Sequence, residues 1–271
     1  MTMLSIITVT YNNAEGLRKT FNSLLVQTEL NIQWIIKDGG SNDETLSILE
    51  EIKENVGVNI LVEAYSSKDN GIYDAMNFSL SKAVGKYVLF LNAGDELYKK
   101  NTLQSLYNYL MHNDLDILFA STEVDVNGGA KYIRKAKPVK YIEYGQPAIH
   151  QSTVYRTSLH LKYLYDCSYV VSSDYATTLE MIFKSNRELN IESTNEITIS
   201  KFEVINDSTS IKKQSLSRLE MRRAQKEILN LNPVTLSIFS IRRLISNYVV
   251  KLLLLCSKFS ELCRAKKINA E

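Results

Sequence analysis

The sequence predicts an α/β protein with a doubly wound, mostly parallel sheet, helices on both faces and a C-terminal helical extension. Two observations carry this prediction. Apolar runs bounded by small residues alternate with amphipathic segments through the first half of the chain, as in repeated βα units around a parallel sheet. In addition, residues 34–36 and 87–91 are apolar throughout, which is typical of strands buried on both faces.

Each element is predicted from its own local pattern. Leu17, Phe21 and Leu24 share one face of the first helix, at the spacing of an amphipathic helix. Ser41 or Asn42 is a suitable N-cap for the second helix, and Gly85 follows the third helix, where glycine is common. The predicted strands are residues 4–10, 32–37, 58–64, 86–91 and 116–120, and the predicted helices are 14–27, 41 or 42 to 52, 73–83 and 102–112.

After residue 121 the regular alternation of strands and helices ends. Gly128 and Gly129 lie between short alternating runs and predict a hairpin. We divide the chain into an α/β domain, residues 1–210, and a basic amphipathic helical extension, residues 211–271. The remaining predicted elements are a loop at 135–150, helices at 173–183, 213–229 and 234–263, and strands at 188–192 and 196–204.

Charge is divided unevenly between the two predicted domains. The whole chain carries a net charge of +2, but residues 211–271 contain thirteen Lys or Arg against four Glu. This predicts contact with an anionic partner, either a membrane surface or nucleic acid. Few aromatic residues are interleaved with the basic ones, which argues against nucleic acid. The helix at 234–263 either lies beside anionic lipid in a membrane interface or packs on protein.

Cysteine usage and hydropathy indicate the compartment. Cys167, Cys256 and Cys263 are too few and too scattered for a disulfide framework or a metal cluster, as expected in a reducing cytosol. No basic segment precedes the first strand, so no signal peptide is predicted. The most apolar stretch, residues 248–256, is far shorter than the ~20 residues that span a bilayer. We expect a cytoplasmic protein that the basic tail can hold on the inner face of the plasma membrane.

Polar residues follow the first two strands at the point where each strand ends. Tyr11 and Asn12 can stack on a nucleobase and hold ribose or phosphate, or they can form a simple turn. Asp38 is placed to accept a hydrogen bond from a base, and Gly39 lets a ligand approach the backbone. Because ligands of open α/β sheets bind outside the carboxyl ends of the strands, the two strand ends together favour a nucleotide site.

The segment from Asp69 to Asn77 leads from a turn into a helix whose N-terminus faces the same edge of the sheet. Backbone N–H groups at a helix N-terminus bind phosphate, so a diphosphate is expected here. Capping of the helix by Asp69 or Asn70 is the alternative interpretation, and it does not exclude contact with a ligand.

Two further acids are candidates for the chemistry. Asp95 follows the fourth strand on a turn opened by Ala93 and Gly94, where it can hold a divalent cation that neutralises a departing diphosphate. The alternative is an N-cap for the next helix. Asp174 starts a later helix, where the helix dipole favours an acid in any case and where it can act as a general base.

These motifs carry a resemblance to a known family. Residues 5–12, 38–43 and 85–95 resemble the signature blocks of family-2 inverting glycosyltransferases with the GT-A fold. Residues 69–77 and Asp174 resemble a bacterial branch that builds extracellular and surface polysaccharides, such as colanic-acid-type transferases. The resemblance covers residues 4 to about 205 and leaves the last sixty residues outside it.

The resemblance implies transfer of a sugar from a nucleotide diphosphate sugar, usually a UDP-sugar, to an acceptor hydroxyl with inversion. It makes Asp95 the acid that binds Mg²⁺ or Mn²⁺ and Asp174 the general base. The acceptor it implies is a glycan carried on undecaprenyl diphosphate, as in capsule, O-antigen or exopolysaccharide synthesis. The nucleotide-binding residues that it implies are Thr10, Tyr11, Asn12, Asp38, Gly39, Asp69, Asn77, Ala93 and Gly94.

The sequence also departs from the family pattern. Ala93 takes the place of one acid of the Asp-x-Asp motif, and the Gln-x-x-Arg-Trp motif of processive synthases is absent, which favours a single addition. His150 and Gln151 follow the long loop and contact sugar or acceptor, unless His150 is structural. The competing classes are a sugar nucleotidyltransferase, whose Gly-rich basic loop is missing after the first strand, and a non-catalytic nucleotide-binding module.

Overall fold

The computed structural model describes residues 2–28, 31–56, 60–126, 130–204, 214–232, 234–239 and 241. The chain divides into two compact units, Met1–Ala224 and Gln225–Glu271, and the sheet and the candidate site belong to the first. In the second unit, residues 225–229, 234–239 and 241 are helical, and the rest of the predicted helix at 234–263 lies outside the described residues. No helix among the described residues is long and apolar enough to cross a membrane.

The first half of the chain consists of the predicted alternation of strands and helices. Its elements are Leu4–Thr10 (β1), Ala14–Leu25 (α1), Ile32–Asp38 (β2), Thr45–Asn55 (α2), Ile60–Ser66 (β3), Ile72–Leu80 (α3), Tyr87–Phe90 (β4), Glu96–Leu97 (β5) and Thr102–His112 (α4).

The second half is less regular and contains two 3₁₀ turns, Val139–Glu143 and His150–Ser152. Its elements are Ile117–Val126 (β6), Ala130–Arg134 (β7), Thr153–Arg156 (β8), Thr157–His160 (α5), Ser173–Lys184 (α6), Ile191–Val204 (β9) and Gln214–Leu229 (α7). The part of α7 up to Ala224 belongs to the first unit, beyond the predicted division at residue 210.

Within the described residues the strands form one nine-stranded sheet in the order β3-β2-β1-β4-β8-β6-β9-β5, with β7 paired to β6. The pairs β1–β2, β1–β4, β2–β3 and β6–β9 are parallel. β8 runs antiparallel to both β4 and β6. The six strands β1, β2, β3, β4, β6 and β9 therefore share one direction, and the predicted mostly parallel α/β sheet is confirmed.

The helix α1 covers the parallel half of the sheet through its apolar face. Leu17, Phe21 and Leu24 are buried as predicted, and the ring of Phe21 stacks on Trp34 of β2 with centroids 6.1 Å apart. The indole N–H of Trp34 donates to Thr8 Oγ1 at 2.9 Å, which satisfies its one polar group inside the core. This packing fixes the strands whose carboxyl ends form the candidate site.

Two elements differ from the predictions for identifiable reasons. α2 begins at Thr45 and not at residue 41 or 42, because both the N–H and the hydroxyl of Ser41 bind the carboxylate of Asp38. Residues 188–192 and 196–204 were predicted as separate strands. Residues 191, 192 and 196–204 belong to one strand, β9, which begins only at Ile191 and whose register against β6 shifts between Phe119 and Thr122.

Candidate active site

A cleft of about 670 Å³ opens at the carboxyl edge of the parallel strands, a volume in the range of small-molecule sites. Tyr11 and Asn13 form one side, Asn70 and Tyr73 at the start of α3 another, and the loop from Cys167 to Val171 a third. The side chain of Tyr11 is 64% exposed, so its ring is available to stack on a ligand.

Asp38 at the end of β2 has its hydrogen-bonding capacity filled by its own turn. Its carboxylate accepts from the N–H groups of Gly40 and Ser41 and from the hydroxyls of Ser41 and Ser66. Burial raises the pKa of Asp38, but these hydrogen bonds outweigh it and leave the pKa below its usual value. Because a carboxylate offers about four acceptor positions, a nucleobase would have to displace one of these donors.

Two other predicted nucleotide ligands also have partners inside the protein. Asn12 has a left-handed backbone, with φ of 47°, and its side-chain oxygen accepts from the N–H of Asn42 at 2.9 Å. The amide of Asn77 pairs with the backbone of Tyr165, donating to its carbonyl at 2.8 Å and accepting from its N–H at 2.9 Å. The two amides therefore hold the walls of the cleft in place.

The turn after β2 and the turn after β3 meet at Gly39. A Cβ on Gly39 would lie 2.8 Å from Asp69 Oδ2 and 3.2 Å from the ring of Tyr11, so a larger residue there would require the Asp69 carboxylate to move. Lys37, whose side chain is buried, stabilises the same junction from inside the protein. Its buried ammonium donates to the carbonyls of Asp38 and Ser67 and lies 3.6 Å from Asp69 Oδ2.

Asp95 is buried, and its carboxylate interacts with one side-chain donor, Gln151, and with the backbone of Asn92. Gln151 Nε2 donates to Asp95 Oδ2 at 2.9 Å, and the side chain contacts no cation in the described part of the chain. Burial raises the pKa of Asp95 to about 7, and the bond from Gln151 only partly opposes this. Gly94, with φ of 102°, forms the turn that directs the chain into this position.

The residues around Asp95 fit a divalent cation with few protein ligands. No group of three or more His, Cys, Asp or Glu that could hold a metal occurs in the described ranges. A buried carboxylate with only two hydrogen-bond donors and no positively charged neighbour among the residues that the structure describes is nonetheless a group that a cation would stabilise. Mg²⁺ suits such a site because it keeps several waters and takes one or two carboxylates together with substrate phosphates.

His150 and Gln151 are adjacent in sequence, but their side chains have different neighbours. The His150 ring stacks on Phe90, with centroids 5.1 Å apart, and its Nε2 lies 2.9 Å from the Tyr165 hydroxyl. Burial lowers the pKa of His150 to about 4, so the ring is neutral at physiological pH. His150 thus supports the 3₁₀ turn that directs Gln151 to Asp95.

Asp174 lies in the first turn of α6, next to the cleft wall. Burial raises the pKa of Asp174 to about 6, against hydrogen bonds from the Tyr175 backbone and the Gln146 amide. The hydroxyl of Tyr73, which lines the cleft, accepts from the N–H of Ser173 at 3.1 Å. Tyr73 therefore joins the floor of the cleft to the helix that carries Asp174.

The structure brings together some of the predicted site residues and shows others that sequence patterns do not reveal. Tyr11, Gly39 and Asp69 meet at one junction, and Gln151 meets Asp95. Lys37 lies inside an apolar strand and belongs to no recognisable motif. Gln146 lies in the predicted loop at 135–150. Their contacts depend on residues distant in sequence, so a local pattern does not identify them.

Known proteins share parts of this sequence. A PGL/p-HBAD biosynthesis glycosyltransferase of Mycobacterium bovis is 36% identical over 118 residues, which cover 43% of this chain and 45% of the relative. The poly(ribitol-phosphate) beta-N-acetylglucosaminyltransferase TarP of Staphylococcus aureus is 33% identical over 132 residues, which cover 47% of this chain and 39% of TarP. The matched segment thus spans less than half the length of either relative.

Solved structures share the fold over most of the chain. Residues 1–349 of S. aureus TarS in complex with UDP-GlcNAc superpose with a TM-score of 0.63 and 17% identity, covering 88% of this chain and 70% of that one. The mannosyltransferase PcManGT of Pyrobaculum calidifontis, in complex with GDP-Man and Mn²⁺, gives a TM-score of 0.65 and 12% identity, with coverages of 84% and 64%. At these identities the likeness concerns the fold, and the predicted GT-A class is confirmed.

The family assignment rests on a sequence profile. The profile of glycosyl transferase family 2 matches residues 5–173, a segment that includes β1 to β8, the turn of Asp95 and the first residue of α6. Because this match extends over more than half of the sequence, the chain belongs to glycosyl transferase family 2.

Proposed function

We propose that the chain is an inverting, non-processive glycosyltransferase that moves one sugar from a UDP-sugar to an acceptor hydroxyl in bacterial cell-surface polysaccharide synthesis. The observation that carries the proposal is the pair Asp95 and Asp174. Both are acids whose pKa burial raises toward neutrality. Titratable groups perturbed in this way cluster at functional sites. Asp174 follows the cleft-lining residue Val171 by three positions, and Asp95 follows Ala93, whose carbonyl accepts a hydrogen bond from the cleft residue Asn13.

The donor nucleotide is assigned to the Tyr11 side of the cleft. The exposed Tyr11 ring stacks on the nucleobase, and Gly39 allows the ligand to approach the backbone beside Asp69. The start of α3 faces the diphosphate with its N–H groups. In this assignment Asn12, Asp38 and Asn77, whose side chains have partners inside the protein, act by shaping the pocket. So do Thr10 at the end of β1 and Ala93 and Gly94 after β4.

A divalent cation, Mg²⁺ or Mn²⁺, completes the donor site in this proposal. Asp95 is the protein ligand, and Gln151 orients its carboxylate through Oδ2. When bound, the cation offsets the charge of the departing diphosphate. Support comes from the chemistry of Asp95 and from the Mn²⁺ in the complex of PcManGT. With one carboxylate available, affinity for the free cation is weak and rises when the donor supplies phosphate oxygens.

Asp174 is the proposed general base. It takes the proton of the acceptor hydroxyl while that oxygen attacks the anomeric carbon and the nucleoside diphosphate leaves, which inverts the configuration. A base with a pKa near 6 is deprotonated at physiological pH and remains basic enough to assist the attack. Its place at the start of α6, next to Tyr73 and the cleft, supports this role.

The acceptor is assigned as a glycan on undecaprenyl diphosphate at the cytoplasmic face of the membrane. The name of TarP, which specifies transfer to poly(ribitol-phosphate), supports a polymer as acceptor, and the thirteen basic residues after residue 210 support one held at a membrane. A basic amphipathic tail binds anionic lipid and would bring the enzyme to such an acceptor. Liposome co-sedimentation of the full chain and of a chain ending at Asn232 tests this part, and equal binding of the two would contradict it.

The activity is tested by incubating the purified full chain with UDP-GlcNAc, UDP-glucose, UDP-galactose and GDP-mannose, with Mn²⁺ or with EDTA. We expect release of UDP from one UDP-sugar, dependent on the cation, and, when an acceptor hydroxyl is supplied, the opposite anomeric configuration in the glycoside product by NMR. Pyrophosphate formation from UTP and a sugar 1-phosphate would identify a nucleotidyltransferase instead. Binding of UDP without turnover of any donor would identify a non-catalytic module.

A further inference from the structure

The helix α7 contacts the cleft wall although it lies beyond residues 5–173, the segment matched by the family profile. Glu220 of α7 is only 7% exposed. Its carboxylate accepts hydrogen bonds from three consecutive backbone N–H groups, those of Val170 at 2.7 Å, Val171 at 2.9 Å and Ser172 at 2.8 Å. A buried carboxylate needs such donors to be stable, and here they all come from one loop.

Two more contacts join the same helix to the same loop. The hydroxyls of Ser217 and Ser172 share a hydrogen bond of 2.9 Å. The guanidinium of Arg223 lies 4.5 Å from the ring centroid of Tyr169 and 4.0 Å from the carboxylate of Asp166. The segment from Asp166 to Ser172 is therefore held at several points by one face of α7.

This loop is connected both to the cleft and to the proposed base. Tyr169, Val170 and Val171 line the cleft. Ser172 occupies the N-cap position of α6, and its side chain makes no capping hydrogen bond. Since Asp174 follows two residues later, the N–H groups that Glu220 holds fix the start of the helix that carries it.

We propose that Glu220 is a positioning residue for sugar transfer, which places Asp174 against the acceptor hydroxyl by holding the backbone of residues 170–172. The inference rests on the proposed function, in which Asp174 is the general base. It assigns to α7, within the predicted extension, a role in the reaction that is separate from any contact with a membrane.

Glu220 also has an electrostatic effect on Asp174. The titratable groups that face Asp174 are Tyr73 of α3, Tyr155 of β8, Tyr165 of the preceding loop and Glu220 of α7. Burial raises the pKa of all three tyrosines, so they are neutral at physiological pH. Repulsion by Glu220 adds to the burial that raises the pKa of Asp174.

The first test measures the loop itself and does not depend on activity. Amide hydrogen exchange is compared among the wild type, E220Q, E220A and the control E180Q, which removes an exposed charge from α6. We expect exchange of residues 170–172 to accelerate at least about tenfold in E220A, because a hydrogen bond to a charged group is lost. Unchanged exchange in E220A would refute the contact that the proposal needs. Should E220A fail to fold, the same comparison is made with E220Q.

The second test measures kinetics with the donor that the wild type uses. We expect kcat to fall about 10- to 100-fold in E220A, as for a misplaced catalytic group, with the donor KM within about threefold of the wild type. In E220Q the low-pH limb of kcat/KM moves to lower pH, because a like charge beside Asp174 is removed. A merely structural residue would leave that limb in place.

The two proposals fail in different ways. If the wild type turns over no donor, the proposed function fails, and the exchange experiment still decides whether Glu220 holds the loop. If the wild type is active and both Glu220 variants match E180Q in kcat and in the pH profile, the positioning role is refuted while the proposed function stands.

Discussion

Asp38 ends β2 and Asp95 follows β4, the two strands that flank β1, and both acids are buried, with exposures of 0% and 8%. They differ in their hydrogen bonds. Four donors surround the carboxylate of Asp38, whereas two, the Gln151 amide and the Asn92 backbone, reach that of Asp95. The pKa shifts accordingly in opposite directions. Burial of an acid at a strand end therefore does not by itself indicate a catalytic or metal-binding role. Carboxylate oxygens that lack hydrogen-bond donors are the better indicator of such a role.

Asp174 belongs with Asp95 in this comparison, because burial also raises its pKa toward neutrality. In the proposed function Asp38 stabilises the protein, whereas Asp95 and the partly buried Asp174 act on the cation and the acceptor. Substitution by the isosteric amide tests this division, since it removes the charge and leaves the shape nearly unchanged.

The largest effect is expected for D174N. Loss of a general base lowers kcat by about 10²- to 10⁴-fold, measured as product formation with acceptor present. The wild-type kcat/KM should rise with pH through about 6, where Asp174 loses its proton, and D174N should lack this limb. E180Q, on the exposed side of the same helix, serves as the control and keeps full activity. Full activity of D174N would remove Asp174 from the chemistry.

The next largest effect is expected for D95N. Loss of the cation ligand lowers the cation-dependent rate by about 10²- to 10³-fold, comparable to loss of one group that stabilises developing charge. The measurement is UDP release against Mn²⁺ concentration. Its control, E96Q, changes the adjacent acid, which lies 3.8 Å from Lys201. Equal cation dependence in D95N and the wild type would mean that the cation binds elsewhere.

D38N is expected to act on stability before activity. Placing an amide among four donors lowers the free energy of unfolding by about 2–3 kcal/mol, seen in urea denaturation. Because the folded pKa lies below the ordinary value, the stabilisation by Asp38 is present above pH 3.8 and is lost as the pH falls through the folded pKa.

The control for D38N is D43N, an exposed change in the same turn, for which we expect a smaller loss of stability. If D38N keeps its stability and instead loses preference for uridine nucleotides, Asp38 contacts the base directly and the comparison with Asp95 is wrong.

The smallest effect is expected for Q151A. Removing the side-chain donor to Asp95 raises the Mn²⁺ concentration needed for half-maximal rate by about 10- to 100-fold, as for other residues that orient a metal ligand. The maximal rate at saturating Mn²⁺ changes less than the half-maximal concentration. Q104A, on the exposed surface of α4, is the control. A Q151A curve that overlies the wild type would show that Asp95 needs no orientation by Gln151.

The first half of the chain, in which strands and helices alternate, could be predicted because the residue pattern of each element lies within that element. β1 and α4 match their predicted bounds, since long periodic segments form the same structure in most contexts. β8 was missed because four residues carry too little pattern. The start of α2 was misplaced because the cap candidate Ser41 binds Asp38 instead, a competition that Ser, Thr and Asn side chains often enter.

The candidate site was predictable only as far as it lies at strand ends. Tyr11, Asp38 and Asp95 follow apolar runs directly, so the topology of a parallel sheet places them at one edge. The distinction between Asp38 and Asp95 depends on Ser66 and Gln151, which are distant in sequence. Likewise, Glu220 is about fifty residues from the loop it binds, and no spacing rule connects the two.

The antiparallel insertion of β8 has a consequence for the synthesis of the chain. β1 to β4 have their mutual partners once Phe90 has left the ribosome, but the outer edge of β4 pairs only with Val154, Tyr155 and Arg156. More than sixty residues must be translated before that edge is covered. Open strand edges invite pairing with other chains, so this interval is when the nascent protein is most prone to aggregate. A chaperone that recognises unpaired strands would act at this stage.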